Sequence, residues 1–330
     1  MSPAAIEAAG LRKSFRSRSR TVEAVRGVSF AVDPGEVLGL LGPNGAGKTT
    51  TLRMLTTLLP IDQGTASVAG IDVSRRPGDV RRQIGYVSQA GGADDLATGR
   101  ESLRLQGALY GGARAAVAAR VDELVGQLDL AGFADRRVRT CSGGQRRRLD
   151  VALGLVHRPK VLFLDEPTTG LDPQNRANLW SHIRALAAAG TTVVLTTHYL
   201  EEADALCDRV VIVDHGTVVA EGTPEGLKRE AVGETLALTL RDPLRRAEAL
   251  DLLRAGAGVL DGALDDEAVR LRVDDGSAVL PGALRLLQDN GIDVSSVNLA
   301  RPSLDDVFLA RTGRTLRDAD GPVGTGRARR

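Results

Sequence analysis

An α/β fold with a mainly parallel sheet is what this 330-residue sequence predicts, on three observations. Val37 to Leu41 is an unbroken apolar run that enters a glycine-rich loop and then a helix. Val161 to Leu164 and Val193 to Thr197 are two more such runs, with a helix expected around 174–188 between them. Unbroken apolar runs of this length suit strands buried on both faces, and strands alternating with helices build a parallel sheet. Each element follows in order. Residues 5–40 read as short alternating strands: Val28, Phe30 and Val32 alternate with small or polar residues, and Asp33-Pro34-Gly35 makes a turn. A helix is expected from about Lys48 to Leu58. Residues 76–150 read as mostly helical, broken at Gly91-Gly92 and Gly111-Gly112. Val210 to Val213 is a further strand.

Past residue 232 the pattern changes. Leu236 to Leu240, Arg245 to Arg254, 257–262, Val269 to Val273, Val279 to Asp289 and Ile292 to Val297 read as strand, helix, strand, strand, helix, strand. That is the order of a ferredoxin-like split βαβ unit. A last short helix begins at Ser303, with Asp306 three residues on as a capping-box partner. The expected organisation is a first domain over 1–231, a small α+β domain over 232–312, and a disordered tail over 313–330, where Gly, Arg and Asp dominate.

The bulk composition narrows the function classes. Lys and Arg number 43 against 42 Asp and Glu, a net charge of +1. No global basic field argues for nucleic acid. Two cysteines, Cys141 and Cys207, lie far apart without CxxC spacing, which argues against a disulfide framework or zinc site and fits a reducing compartment. The first ten residues lack the charged-then-apolar order of a signal peptide. No run approaches the ~18 apolar residues that span a bilayer. Any membrane part is therefore expected on another chain.

The chemistry-bearing motifs start at Gly42-Pro43-Asn44-Gly45-Ala46-Gly47-Lys48-Thr49. This fits GxxxxGK[ST] between a strand and a helix, the context such a loop needs. Its glycines let backbone N–H groups converge on phosphate oxygens at a helix N-terminus. Lys48 is expected to reach the β- and γ-phosphates, the Thr49 hydroxyl to ligate Mg²⁺, and Thr50 to add a phosphate contact. Val161-Leu162-Phe163-Leu164-Asp165-Glu166 is an apolar strand that ends in two carboxylates. Asp165 can hold Mg²⁺ and Glu166 can polarise an attacking water. Cys141-Ser142-Gly143-Gly144-Gln145 precedes an Arg-rich helix and offers a second anion-binding helix start.

With these three motifs in this order the chain resembles the ABC ATPases, whose hallmark in the third place is LSGGQ; Cys141 departs from the usual Leu while the Ser-Gly-Gly core stands. The resemblance covers residues 5–225. It implies a P-loop NTPase fold of a RecA-like core, an antiparallel β subdomain and a helical subdomain, and ATP with Mg²⁺ as its ligands. Residue by residue it adds Phe15, in Leu11-Arg12-Lys13-Ser14-Phe15, as the ring that stacks on adenine, with a core Phe as the alternative. It adds Gln89, in Tyr86-Val87-Ser88-Gln89, as a contact to Mg²⁺ or water, Asp172 in the dimer-interface loop, and His198 as the switch histidine at the γ-phosphate.

The family architecture implies a sandwich of two nucleotide domains, with ATP between the phosphate loop of one and Ser142, Gly143, Gly144 and Gln145 of the other. A homodimer, or a pair with a similar chain, on the cytoplasmic face of the cell membrane and bound to a separate integral membrane permease, follows from the resemblance. Thr49 to Leu59, Arg146-Arg147-Arg148-Leu149-Asp150 and Ser303 to Leu309 are similar to the daunorubicin/doxorubicin resistance branch, which implies efflux of a drug. Export of a lipid, polysaccharide or ion is the alternative cargo. A ribosome- or DNA-acting ATPase is the rival class, and neither a second nucleotide domain nor a long coiled-coil insert supports it. Arg16 to Arg20 reads either as a lipid-headgroup contact or as a solvated hairpin loop. Arg146 to Arg148 reads either as a phosphate or partner contact or as a solvated helix face.

Overall fold

The computed structural model describes residues 3–16, 21–230, 233–264, 268–300 and 302–314. They divide into two compact units that meet in sequence at Pro224 and Glu225. Ala231 and Val232, where the sequence pattern changes, lie outside the described residues, as do Ser17 to Arg20 of the first arginine run and residues 315–330 of the expected tail.

In the first unit the chain runs β1 (Ile6–Arg16), β2 (Thr21–Val32), β3 (Val37–Leu41), α1 (Lys48–Leu55), β4 (Gln63–Val68), β5 (Ile71–Asp72), α2 (Pro77–Gln83), β6 (Ile84–Val87), α3 (Gly99–Leu109), α4 (Arg114–Gln127), α5 (Gly143–Leu155), β7 (Val161–Asp165), α6 (Pro173–Ala188), β8 (Thr192–Thr197), α7 (Leu200–Leu206), β9 (Arg209–Asp214) and β10 (Thr217–Gly222). A six-stranded sheet has the order β10-β9-β3-β8-β7-β6. Its strands pair in parallel except for β10, which returns antiparallel along β9. Every residue of β3, β7 and β8 is buried, as both-face coverage of a parallel sheet demands. A four-stranded antiparallel sheet, β2-β1-β4-β5, packs the alternating apolar residues Ile6, Leu11, Val28, Phe30 and Val32 into the same core as Leu38, Leu40, Leu52 and Phe163.

Several elements depart from the sequence expectation. The first strands are long, 11 and 12 residues, and shift register where Gly10 and Gly27 take positive φ. α1 ends at Leu55, short of Leu58, because Thr57 turns left-handed at φ 63°. Within the stretch expected to be helical, Ile84 to Val87 is a strand, whose four residues are too few to show a period. β4, β5, β10 and α7 carried no clear pattern in the sequence.

In the second unit, α8 (Pro224–Glu230), β11 (Glu234–Leu240), α9 (Arg246–Arg254), β12 (Val259–Leu264), β13 (Val269–Val273), α10 (Gly276–Asp289), β14 (Val294–Ala300) and α11 (Leu304–Thr312) follow one another. The sheet order is β12-β13-β11-β14, antiparallel throughout. α9 links β11 to β12 and α10 links β13 to β14, the split βαβ arrangement that the element order predicts. Leu236, Leu238, Leu250, Leu253, Leu271 and Leu287 fill a core of its own. Ser303 and Asp306 form the capping box at the start of α11.

Candidate functional site

Parallel register brings the functional residues to one edge of the six-stranded sheet. Leu41 pairs with Thr197, and Asp165 with Thr196. The residues that follow, Gly42, Glu166 and His198, therefore leave the C-terminal ends of neighbouring strands, where open α/β sheets bind their ligands. The Gly42–Thr49 loop is held in shape by close backbone approach. A Cβ on Gly47, at φ 104°, would stand 2.4 Å from Ala24 O, and one on Gly42 2.1 Å from Val213 O. No other residue fits either place. Gly216 N–H donates to Ala46 O at 2.9 Å, which ties the β9–β10 turn to the loop. Asn44 and Gly45 form its exposed tip.

Lys48 is buried, and its Nζ donates to Gly42 O at 2.6 Å and Pro43 O at 3.0 Å, with Glu166 Oε1 at 3.9 Å. One ammonium thus lies between the loop that suits phosphate and the carboxylate that suits water. Thr49 Oγ1 donates to Asp165 Oδ1 at 2.8 Å, and Thr196 Oγ1 donates to the same oxygen at 2.7 Å. The 2.8 Å between the Thr49 and Asp165 oxygens is close to the edge of an octahedron with Mg–O distances of about 2.1 Å. A hydroxyl and a carboxylate are also the hard donors that Mg²⁺ takes, so these residues fit the ion. Gln89 Nε2 donates to Glu166 Oε2 at 3.0 Å, which leaves the amide oxygen as a further hard donor beside the pair. Thr50 follows in the first turn of α1.

Glu166 is the most constrained of these residues. It takes φ 45°, a left-handed conformation that a non-glycine residue adopts at a cost. Its N–H donates to Thr196 Oγ1 at 3.0 Å and Thr196 O at 3.2 Å. Thr169 Oγ1 donates to its Oε2 at 3.1 Å, and His198 Nδ1 lies 3.3 Å from its Oε1. The His198 ring, with Lys48 and the Thr169 hydroxyl, holds this carboxyl below its ordinary range against the opposing effect of burial. Lys48, Thr49, Gln89, Asp165, Glu166 and His198 thus share one network.

Ser142, Gly143, Gly144, Gln145 and Asp172 form a second cluster. Ser142 and Gln145 close a capping box at the start of α5. Asp172 caps α6, accepting from Asn175 N at 2.8 Å and Asn175 Nδ2 at 2.7 Å. A Cβ on Gly144 would stand 2.4 Å from Asn175 Oδ1, so the glycine is what lets the two helix starts meet. The two motif helices have different neighbours: α5 packs on β6, α3 and α6, whereas α1 packs on β2, β4, β7 and β8. Phe15 sits near the end of β1, 42% exposed, with the Lys13 ammonium 5.9 Å from its ring. It is therefore not the core residue of the alternative reading.

The arginine run of α5 splits three ways, which neither sequence reading foresaw. Arg146 pairs with Asp95 at 2.6 Å, and Arg148 donates to Asp129 O and Oδ2 at 2.8 and 2.9 Å. Arg147 is buried and its guanidinium donates to Ser88 O, Pro167 O and Asp165 O at 2.7, 2.7 and 3.0 Å. Thr196 and Arg147 are site residues that sequence reasoning missed. A threonine inside a buried strand carries no signal, and an arginine between two others reads as surface. Both cysteines are free thiols.

Comparison with known proteins agrees with this geometry. The sequence profile described as ABC transporter matches residues 25–169, and that of the DrrA1-3-like ATP-binding protein C-terminal domain matches residues 222–312. A profile described as an AAA domain, putative AbiEii toxin, matches residues 135–204, the part that holds β7 and β8. The daunorubicin/doxorubicin resistance ATP-binding protein DrrA of Streptomyces peucetius is 47% identical over 95% of this chain and 94% of its own length. The Nod factor export ATP-binding protein I of Paraburkholderia xenovorans is 40% identical over 96% of this chain and 100% of its own. A solved dimeric ATP-binding cassette, in a post-hydrolysis state with ADP and phosphate, matches with TM-score 0.61 and 25% identity over 66% of this chain and 98% of that one.

Proposed function

Because this chain belongs to the ABC transporter ATP-binding subunits, we propose that it binds and hydrolyses ATP with Mg²⁺ as one of two copies in an exporter. Its cargo is a drug or antibiotic-like small molecule, and a separate integral membrane permease carries that cargo. The single observation that carries the chemistry is the convergence of Lys48, Thr49, Asp165, Glu166 and His198 at one sheet edge, with Thr49 hydrogen-bonded to Asp165 and with Lys48 and His198 at 3.9 and 3.3 Å from the Glu166 carboxylate.

The residues divide the reaction among them. Backbone N–H groups of Gly42 to Thr49 and the start of α1 take the phosphates, and Lys48 turns from its loop carbonyls to the β- and γ-oxygens. Thr49, Asp165 and Gln89 would hold Mg²⁺, which would supply positive charge against the phosphate oxygens. Glu166 accepts a hydrogen bond from water and draws its proton as the water oxygen bonds to the γ-phosphorus and the bond to the β-phosphate oxygen breaks, giving ADP and phosphate. The His198 ring and the Lys48 ammonium favour its carboxylate form, the form a base must have. His198, beside Glu166, donates to a γ-phosphate oxygen. Phe15 stacks on the adenine. Ser142, Gly143, Gly144 and Gln145 of each copy close over the ATP held by the other, and Asp172 lies at the shared interface.

Drug export is favoured over the alternative cargoes by the C-terminal match and by the relative of Streptomyces peucetius. The relative named for Nod factor export is the observation that keeps a cargo other than a drug, a lipid, polysaccharide or ion, as the other reading. Glu166→Gln tests the mechanism, since glutamine keeps the shape and removes the base. The expected outcome is unchanged ATP affinity, hydrolysis reduced at least about a hundredfold, and a dimer that survives size exclusion with ATP and Mg²⁺. Wild-type turnover, or a protein that stays monomeric under those conditions, overturns the reading.

A further inference from the structure

The geometry points to Arg147 as a positioning residue for hydrolysis: from α5 its guanidinium fixes the backbone on both sides of Glu166 and the residue before Gln89. The inference rests on the reading of Glu166 as the base. Three carbonyl acceptors, from Asp165 at the end of β7, Pro167 just after it and Ser88 after β6, lie on two separate segments, and the planar guanidinium reaches all three at 2.7–3.0 Å. Arg147 is 7% exposed, and these three hydrogen bonds all go to main-chain oxygens. A buried cation spent on main-chain oxygens is costly, and it is worth keeping where it over-determines a conformation the chain would otherwise leave.

Glu166 is in such a conformation, at φ 45°. Thr196 secures its N–H, and Arg147 bridges the carbonyl oxygens of the residue before it, Asp165, and the residue after it, Pro167. The same side chain also secures Ser88 O, so Gln89 and Glu166, which hydrogen-bond each other at 3.0 Å, are placed by one rigid fork. One turn along α5, Asp150 accepts from Gly92 N and Ala93 N at 2.9 and 3.1 Å. The Gln89 loop is thereby held to α5 at both ends. The helix that begins with Ser142-Gly143-Gly144 thus carries the geometry of the hydrolytic carboxylate. A lysine cannot replace this arrangement, because its ammonium is a point donor and cannot span carbonyls on two segments.

The test is Arg147→Lys in the full-length chain, with Glu166→Gln as control. Expected are a kcat for ATP at least about tenfold lower, a KM and a fluorescent-ATP Kd within about twofold of wild type, and a thermal midpoint that leaves the protein folded at the assay temperature. An unchanged kcat, or a Kd that weakens in step with kcat, overturns the assignment. If Glu166→Gln hydrolyses like wild type, the reading of Glu166 has failed. If that control is inactive and Arg147→Lys is not impaired, only the role of Arg147 has failed. Arg147→Gln, which keeps one bond and buries no charge, reads the same split if the lysine variant does not fold. If neither folds, Arg147 is a stability residue and the assignment is wrong.

Discussion

At the scale of single residues, identity and burial decide what each charge can do. Glu202 on α7 is buried, and Trp180 Nε1 donates to its Oε1 at 3.1 Å. Burial raises its pKa. A carboxyl whose folded pKa lies above its unfolded value lowers stability once ionised. The penalty is full above the folded pKa, fades as pH falls through the window between the two values, and is gone below the unfolded one. Glu202→Gln keeps an acceptor for Trp180 and removes the charge. Its thermal midpoint is expected above wild type at about pH 8 and equal to it at about pH 4, with the fluorescence of the chain's single tryptophan as the readout. A midpoint below wild type at the higher pH contradicts this sign. The motif residues Lys48, Asp165, Glu166 and His198 were legible as types at their spacings. Thr196 and Arg147 were not, because what makes them part of the site is the partner each meets, and neighbours in sequence do not report that.

At the scale of elements, the site depends on how α5 is tied down. Asp150 is buried and satisfies two backbone amides in the loop after Gln89. Asp150→Ala leaves both without that acceptor, at a cost of about 2 kcal/mol. A chemical denaturation midpoint is expected to fall accordingly, and Asp150→Asn, which keeps one acceptor oxygen, to fall less. No loss in the alanine variant would mean that the amides find other partners. The strands with unbroken apolar runs, β3, β7 and β8, were legible because burial on both faces writes itself into composition. β6 and β5 were not: four residues and two residues carry no period, and these strands exist because a neighbouring strand supplies their hydrogen bonds. α1 stops early for a backbone reason, the left-handed Thr57, that its residue types do not announce.

At the scale of the whole molecule, each compact unit has its own core, and all the residues assigned to ATP lie in the first. A chain ending at residue 230 is expected to stay folded and bind ATP with a Kd within about threefold of the full chain. A folded truncation that does not bind ATP places the second unit in the nucleotide chemistry. Among the described residues no helix is long and apolar enough to cross a membrane. From the proposed permease partner, attachment is expected with a co-expressed integral membrane subunit, which cell fractionation reads directly. Pelleting without that subunit, reversed by high salt, would make the Arg16 to Arg20 segment a headgroup anchor, since such attraction is screened within about 10 Å at roughly 0.1 M salt. Of that segment the described residues include only Arg16, at the exposed end of β1.

By itself the sequence determined the α/β class, the phosphate loop, the acidic strand end, the Ser-Gly-Gly helix start and the split βαβ order of the second unit. Each is a local matter: a glycine where backbone crowds backbone, an apolar run where both faces are covered, a carboxylate where a strand ends. Only the tertiary structure decided that Asp165 and Thr49 share a hydrogen bond, that Glu166 is strained and held, and that one of three consecutive arginines is buried against the loops of the site. Those facts depend on strand register and on which helix packs over which loop. Both are set by the minimum of the whole chain's packing energy, and a window of neighbouring residues does not contain it.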